Sequence, residues 1–222
     1  MRNRNLKRIF IALIVLCHAG CGSWSFLDGS AAGRGRRPTS GAENVKRMEA
    51  YKRLIDDLER AGLFKHTDRE LVAEAKAEAK REGYMFAGST ERDYLIHPDE
   101  LAEGGVKVFL REVAPFLKRE GVELNGIEEN FEAGGEYSIT VNGEQYVMYS
   151  GAGLKPEEQQ VLTTRRAFAL INTLLERAGS GERVYLFRNG NETWAVFLTP
   201  ELFEIISQSS LVYDENKPRP VG

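Results

Sequence analysis

The chain has 222 residues and a formal net charge of −3, but this charge is unevenly distributed along the sequence. Residues 1–41 contain seven basic residues and one acidic residue, which leaves 23 basic and 32 acidic residues, a net charge of −9, from Ala42 onward. Nucleic-acid binding needs a basic surface that displaces counterions from phosphates, so the acidic part is not expected to bind nucleic acid. The same repulsion disfavours contact with an anionic membrane surface.

The N-terminal segment has the pattern of an export signal. Four basic residues precede an unbroken apolar run from Ile9 to Cys17, and small residues follow directly before Cys21. Nine apolar residues rise only about 14 Å as a helix, less than half of a ~30 Å hydrocarbon core, so a permanent membrane span is not expected. We predict that residues 1–20 are a signal peptide that is removed.

The end of this segment resembles the processing site of bacterial lipoproteins. The residues concerned are His18, Ala19, Gly20 and Cys21, of which the last three match the family pattern and His18 stands where leucine is usual. The resemblance implies that Cys21 is lipidated and anchors the protein in the cell envelope. It also implies sorting to an outer membrane, because Gly22 is not aspartate. The alternative is an ordinary secretory signal cut near Ala19 or Gly20.

The cysteines and the linker composition define the remaining organisation. Cys17 and Cys21 are the only cysteines, so no disulfide can hold the folded part together. Residues 21–41, dominated by small residues, Arg and Pro, predict a lipidated cysteine followed by a flexible tether with a reach of around 25 Å. Residues 42–213 are expected to form a single domain around one core, and residues 214–222 a disordered tail.

The first part of the domain is predicted to be mainly helical. Apolar residues three and four positions apart predict an amphipathic helix from Val45 to Leu58, which Gly62 would end with a left-handed cap. A thinner, alanine-rich stripe predicts a peripheral helix between Thr67 and Gly83. Short apolar pieces at 84–87 and 94–96 predict strands.

A third helix is expected from Pro98 to Gly121, because proline and acidic residues favour a first helical turn. Gly104 and Gly105 weaken its start, and Pro115 removes a backbone donor inside it. These residues predict a kink or a break in this helix.

The last hundred residues contain the same unit twice, a β-hairpin followed by a helix. The segments are the strands 136–141 and 144–150 around an Asn142-Gly143 turn, a helix from Pro156 to Gly179, the strands 183–188 and 192–198, and a short helix from Pro200. Two such units predict an α+β fold with an antiparallel sheet and helices packed against one face.

The second hairpin has few polar positions, so either helices cover both its faces or one face is a binding surface. The residues that would form such a surface are Tyr185, Phe187, Trp194 and Phe197. We expect them to contact a partner protein, with the membrane as the other partner through lipidated Cys21.

Residues that could carry out catalysis are few. Of the histidines, only His66 and His97 remain after removal of the signal, and no cysteine is left as a nucleophile or zinc ligand. His97, oriented by Asp93 or Asp99, could act as a base, but it also occupies the expected N-cap of a helix. No catalytic residue, metal ligand or cofactor is therefore predicted.

Two other ligand sites are disfavoured by their sequence patterns. The loop from Ser150 to Gly153 follows a strand and precedes a helix, but no Gly-Lys-Ser/Thr sequence follows it, so it does not match a phosphate-binding loop. A group of acids lacks the carboxylate and glycine order of a calcium loop and predicts a solvated strand edge. These acids are Glu128, Glu129, Glu132 and Glu136.

Two functions are compatible with the sequence. The favoured hypothesis is a lipid-anchored envelope protein whose acidic domain binds another protein without enzymatic activity. The alternative is a small envelope hydrolase that uses His97 with Asp93 or Asp99. Four features support the first hypothesis: the anchor, the tether, the lack of recognisable catalytic residues and the aromatic second hairpin.

Overall fold

A computed structural model describes residues 41–82, 86, 90–151, 153–189 and 192–221. The predicted signal peptide, Cys21 and the tether up to residue 40 lie outside these ranges, as does the predicted strand at 84–87 except for Phe86. In chain order the elements are α1 (Gly41–Arg60), α2 (Val72–Glu82), β1 (Asp93–Ile96), α3 (Pro98–Glu100), a π-helical turn (Leu101–Gly105), α4 (Val106–Arg119), β2 (Glu128–Phe131), β3 (Tyr137–Val141), β4 (Glu144–Tyr149), α5 (Pro156–Arg177), β5 (Arg183–Asn189), β6 (Glu192–Leu198), α6 (Pro200–Gln208) and a 3₁₀ turn (Asp214–Asn216).

Helix α1 follows its apolar pattern. Tyr51, Leu54, Ile55 and Leu58 are buried, while the charged residues between them are mostly exposed. Gly62 has φ of 92° and ends the helical segment in the left-handed region, as predicted. The turn satisfies the last carbonyl groups of α1, because the N–H of Leu63 donates to the carbonyl of Leu58 at 2.8 Å and the N–H of Gly62 to that of Glu59 at 3.0 Å.

The break in the third predicted helix lies at its start. Gly104 has φ of 104° within the π-helical turn that separates α3 from α4. A Cβ atom at Gly105 would lie 2.7 Å from the carbonyl oxygen of Glu100, so only glycine fits there. Pro115 lies within α4, which continues from Val106 to Arg119. The glycines, rather than the proline, therefore interrupt the helix.

The strands confirm the α+β class and both hairpins, but they form two three-stranded antiparallel sheets. One sheet has the order β1-β6-β5 and the other β2-β3-β4. Each hairpin recruits a third strand from upstream in the chain: β6 pairs with β1, and β3 pairs with β2. The single predicted sheet is therefore incorrect, because each hairpin completes its own sheet and α5 separates the two.

The turn between β3 and β4 has the predicted tight geometry. Asn142 and Gly143 have φ of 54° and 82°, the positive values of a type I′ turn. The Asn142 side chain also accepts a hydrogen bond from the backbone N–H of Asn125 at 2.6 Å and donates one to the carbonyl of Glu123 at 2.9 Å. The residue that forms the turn thus also attaches the loop before β2.

The β1-β6-β5 sheet lies between two hydrophobic clusters. Ala195 and Phe197 of β6 join α4, α5 and the β2-β3-β4 sheet in one cluster. Val196 and Leu198, on the opposite face of the same strand, join α1, α2 and α6 in the other. Helices therefore cover both faces of this sheet, not one face as predicted. The apolar residues on both faces of β6 follow from this position.

The C-terminal residues pack against the domain. Leu186 of β5 and Arg219 exchange two backbone hydrogen bonds of 2.9 and 2.8 Å, and Pro218 is buried. Residues 214–221, expected to be disordered, thus extend the free side of β5. Among the helices of the described ranges, none has the length and apolar character of a membrane span.

Candidate functional site: a buried charge cluster

The structure makes two of the four predicted binding aromatics unavailable. Phe187 and Phe197 are 3% and 0% exposed, because each points into one of the two hydrophobic clusters. Tyr185 is half-buried and stacks on Phe203 with 4.5 Å between ring centroids. Trp194 is also half-buried. The predicted four-residue contact surface is therefore incorrect, and only Tyr185 and Trp194 retain solvent contact.

The alternative catalytic group around His97 is not assembled among the described residues. His97 is the N-cap residue of α3, as expected from its position, but its exposed side chain makes no capping hydrogen bond. Asp93 begins β1 and accepts a hydrogen bond from the Thr90 hydroxyl at 2.9 Å. Three strand residues separate Asp93 from His97, so the two are four steps, or about 13 Å, apart along the extended chain. Asp99 is exposed in the first turn of α3.

The acidic segment around β2 is only partly solvated. Glu128 and Glu132 are exposed, as predicted for a strand edge. Glu129 instead points inward, where its Oε1 accepts hydrogen bonds from the Tyr137 hydroxyl at 2.6 Å and the Lys107 N–H at 2.9 Å. Burial and the nearby Glu129 carboxylate raise the pKa of Tyr137. Glu129 therefore connects β2 to α4.

A different group of ionisable residues is buried in the interior. His66, Arg92, Glu120 and Glu182, here called the buried charge cluster, come from four separate segments. These segments are the turn after α1, the residue before β1, the end of α4 and the loop before β5. The cluster is therefore formed only when these four segments meet.

Arg92 is the centre of the cluster and is 0% exposed. Its Nε donates to the carbonyl of Leu63 at 2.8 Å and its Nη2 to that of Gly62 at 2.9 Å. Nη1 donates to the carbonyl of Phe197 at 3.0 Å and to Oε2 of Glu182 at 2.7 Å. One guanidinium thus caps the turn after α1, joins it to β6 and neutralises a buried carboxylate.

Each carboxylate has one oxygen fixed by a donor and the other directed at His66. Arg92 holds Oε2 of Glu182, and the Ser180 hydroxyl donates to Oε2 of Glu120 at 2.6 Å. The two Oε1 atoms lie 3.2 Å (Glu120) and 3.7 Å (Glu182) from Nε2 of His66. Nε2 of His66 and Oε1 of Glu182 have no hydrogen-bond partner of acceptable geometry in the described part of the chain.

Exposed residues close the cluster on one side. Lys65 donates to Oε1 of Glu120 at 2.9 Å, with more than half of its side chain exposed. Arg119 donates to the carbonyl of His66 at 3.1 Å and pairs with Glu91. The ring of Phe116 lies 4.7 Å from the imidazole of His66 in an edge-on arrangement. These contacts fix the backbone and the ring of His66.

Both carboxyl groups favour the ionised form. Burial raises the pKa of Glu182, but His66 and Arg92 outweigh it and leave this pKa below its usual value of 4.5. Burial likewise opposes the hydrogen bonds from Ser180 and Lys65 at Glu120, and its pKa is also lowered. Two negative charges are therefore held beside one imidazole nitrogen, which favours a cation at that point.

The cluster was not predicted from the sequence. His66 was noted only as one of two remaining histidines, and Arg92 and Glu182 have no spacing that a motif would show. Glu182 and Arg92 are 90 positions apart in the sequence, and Arg92 and Leu63 are 29 apart. The sequence carries no local signal for the cluster, because its members come from distant segments of the chain.

The cluster lacks the arrangement of a nucleophile and a base. The hydroxyl of Ser180 donates to Glu120, which orients that carboxylate. The chemistry that the geometry offers is binding through one nitrogen and two oxygens. Comparisons of the chain with protein-family models, with curated proteins and with solved structures found no match.

Proposed function

We propose that the protein is exported, is anchored to a membrane of the cell envelope through lipidated Cys21, and acts by binding another protein without enzymatic activity. Export and anchoring are supported by the basic and apolar leader and by the small residues before Cys21. The acidic charge of the domain supports a role for this anchor, because the domain itself would be repelled by anionic lipid.

A groove between α1 and α6 is the observation that carries the binding role. It is open to solvent and combines apolar with polar side chains, which suits a segment of another protein better than an enclosed small molecule. The lining residues are Ala50, Arg53, Leu54, Asp57, Ile205, Gln208, Ser209 and Leu211. Helix α1 follows the predicted tether directly in the sequence.

The anchor is tested with Cys21→Ala in the organism's own export system. We expect the unchanged chain to fractionate with membranes and to incorporate a radiolabelled fatty acid, and the variant to lose both properties because it lacks the thiol that is acylated. Cys17→Ala is the matched control and should behave as the unchanged chain does. Membrane retention of Cys21→Ala would contradict the anchor.

The binding role is tested by cross-linking in intact cells. We expect a discrete cross-linked product that disappears in Arg53→Glu, because this exposed residue lines the groove. Arg111→Glu, an exposed arginine of α4, makes the same charge change away from the groove and should retain the product. Equal products from both variants would exclude the groove as the binding surface.

The hydrolase alternative gains no support from the described residues. The extended strand places Asp93 at one end of β1 and His97 beyond the other end. We therefore expect His97→Ala to retain full biological activity.

A further inference from the structure

Three ligand-type atoms converge in the buried charge cluster. One ligand atom from each of His66, Glu120 and Glu182 lies within 4.8 Å of the other two, and Nε2 of His66 faces Oε1 of both carboxylates. We propose that these three residues bind one divalent transition-metal ion, with Zn²⁺ as the ion that fits best. This metal site is independent of the proposed anchoring and protein-binding function.

The distances suit coordination. Zinc ligands lie about 2.0–2.2 Å from the metal, so neighbouring ligand atoms of a tetrahedral site are about 3.4 Å apart. The distances from Nε2 of His66 to the two carboxylate oxygens, 3.2 and 3.7 Å, lie on either side of this value. A small movement of Glu182 would equalise them.

The surrounding donors act as an outer shell. Arg92 and Ser180 each hold the Oε2 atom of one carboxylate, which leaves both Oε1 atoms directed at the same point. Metal sites commonly use such outer hydrogen bonds to orient their carboxylate ligands. Ligands from three chain segments, with their outer oxygens already fixed, distinguish this arrangement from a group of surface acids.

Burial makes the convergence costly without a bound cation. His66 is 8% and Glu182 1% exposed, and their converging atoms have no hydrogen-bond partner of acceptable geometry in the described ranges. Leaving such atoms unsatisfied in the interior destabilises the fold, because they have lost their hydrogen bonds to water without a replacement. A metal ion satisfies both atoms at the same time.

The donor set selects the class of metal. One imidazole nitrogen with two carboxylate oxygens suits Zn²⁺ and neighbouring transition metals, whereas Ca²⁺ and Mg²⁺ prefer oxygen ligands alone. Lys65, which donates to Oε1 of Glu120, has a largely exposed side chain and can move into solvent when the ion binds. A water molecule would supply the fourth ligand.

Metal binding is tested on the purified full-length chain without a histidine tag. Calorimetric titration with ZnCl₂ should give one equivalent of Zn²⁺ per chain, and titration with Co²⁺ should give the visible absorption of a tetrahedral site. His66→Gln should weaken Zn²⁺ binding at least tenfold, because it removes the nitrogen ligand. His97→Gln is the matched control, since His97 is exposed, and should leave binding unchanged.

Two measurements guard against misfolded variants. First, circular dichroism should show the same helical content in both histidine variants. Second, Glu120→Gln removes an anionic ligand and should also weaken Zn²⁺ binding at least tenfold. The proposal is overturned if the unchanged chain shows no saturable Zn²⁺ binding up to millimolar concentration. It is also overturned if His97→Gln removes binding while His66→Gln retains it.

Discussion

Two ionic groups in this protein use similar residues in opposite surroundings. The buried charge cluster joins four segments of the chain in the interior. A second group, here called the surface ion cluster, joins α1 to α2 near solvent through Asp56, Glu59, Lys76 and Lys80. In it Lys80 and Lys76 lie 2.6 and 2.9 Å from the same Asp56 carboxylate, and Lys76 also pairs with Glu59.

The comparison shows that a short distance alone does not indicate how much an ion pair contributes to the stability of the fold. In the surface ion cluster, water and salt compensate each charge when its partner is removed. In the buried charge cluster, removal of one charge leaves its partner in a medium that solvates it poorly. Arg92 adds three hydrogen bonds to backbone carbonyl groups, so its loss also leaves polar backbone atoms unsatisfied.

The largest expected effect comes from Arg92→Met. The variant retains an aliphatic side chain but leaves the Glu182 carboxylate and three carbonyl groups without their donor. We expect the free energy of unfolding, measured by urea denaturation, to fall by at least about 4 kcal/mol. Arg111→Met, an exposed arginine of α4, is the control and should leave this free energy almost unchanged. A loss below about 1 kcal/mol for Arg92→Met would show that water replaces the guanidinium.

A second difference should appear at alkaline pH. Tyr94 packs edge-on against Phe197, with 5.8 Å between ring centroids, and burial together with Glu91 raises its pKa to about 12. The unfolded chain releases this proton near pH 10, so the stabilisation by the neutral phenol is complete below pH 10 and is lost as the pH rises to 12. We expect a loss of about 2 kcal/mol from this residue across that interval.

The measurement is the free energy of unfolding at several pH values between 9 and 12, compared with that of Tyr94→Phe. The variant cannot ionise and should show a smaller decrease. In the surface ion cluster, Lys76 should remain charged to a higher pH than a free lysine, because the neighbouring carboxylates raise its pKa. Identical pH profiles for the two proteins would contradict this account of Tyr94.

The smallest expected effect comes from Lys80→Ala. This change removes one pair of the surface ion cluster, while Lys76 still neutralises Asp56. We expect a small decrease in melting temperature at low salt and none in 1 M NaCl, because salt screens exposed charges. The effect of Arg92→Met should persist in 1 M NaCl. If salt reduced the destabilisation of Lys80→Ala and of Arg92→Met to the same extent, the proposed difference between the two ionic groups would be contradicted.

Local patterns predicted much of the fold. The spacing of apolar residues located α1, the Asn142-Gly143 pair located a hairpin turn, and the glycines before α4 indicated the helix break. These features depend on backbone preferences and on residues a few positions apart, so they can be read without knowing the tertiary structure. The α+β class follows from them.

The sequence did not show which distant segments of the chain pack against or pair with each other. The apolar residues of the second hairpin allowed either a binding face or burial on both faces, and only the packing of helices on both sides excluded Phe187 and Phe197 from the surface. The pairing of β6 with β1 placed the hairpins in separate sheets. Hydrophobic periodicity specifies which face is buried but not which element covers it.

The sequence by itself determined the helices, the hairpins, the acidic charge of the domain and the export pattern, because each depends on neighbouring residues or on composition. Only the tertiary structure decided that His66, Arg92, Glu120 and Glu182 meet in the interior. The physical reason is that a buried charge requires partners of complementary shape and sign, and the chain supplies them from positions up to 90 residues apart.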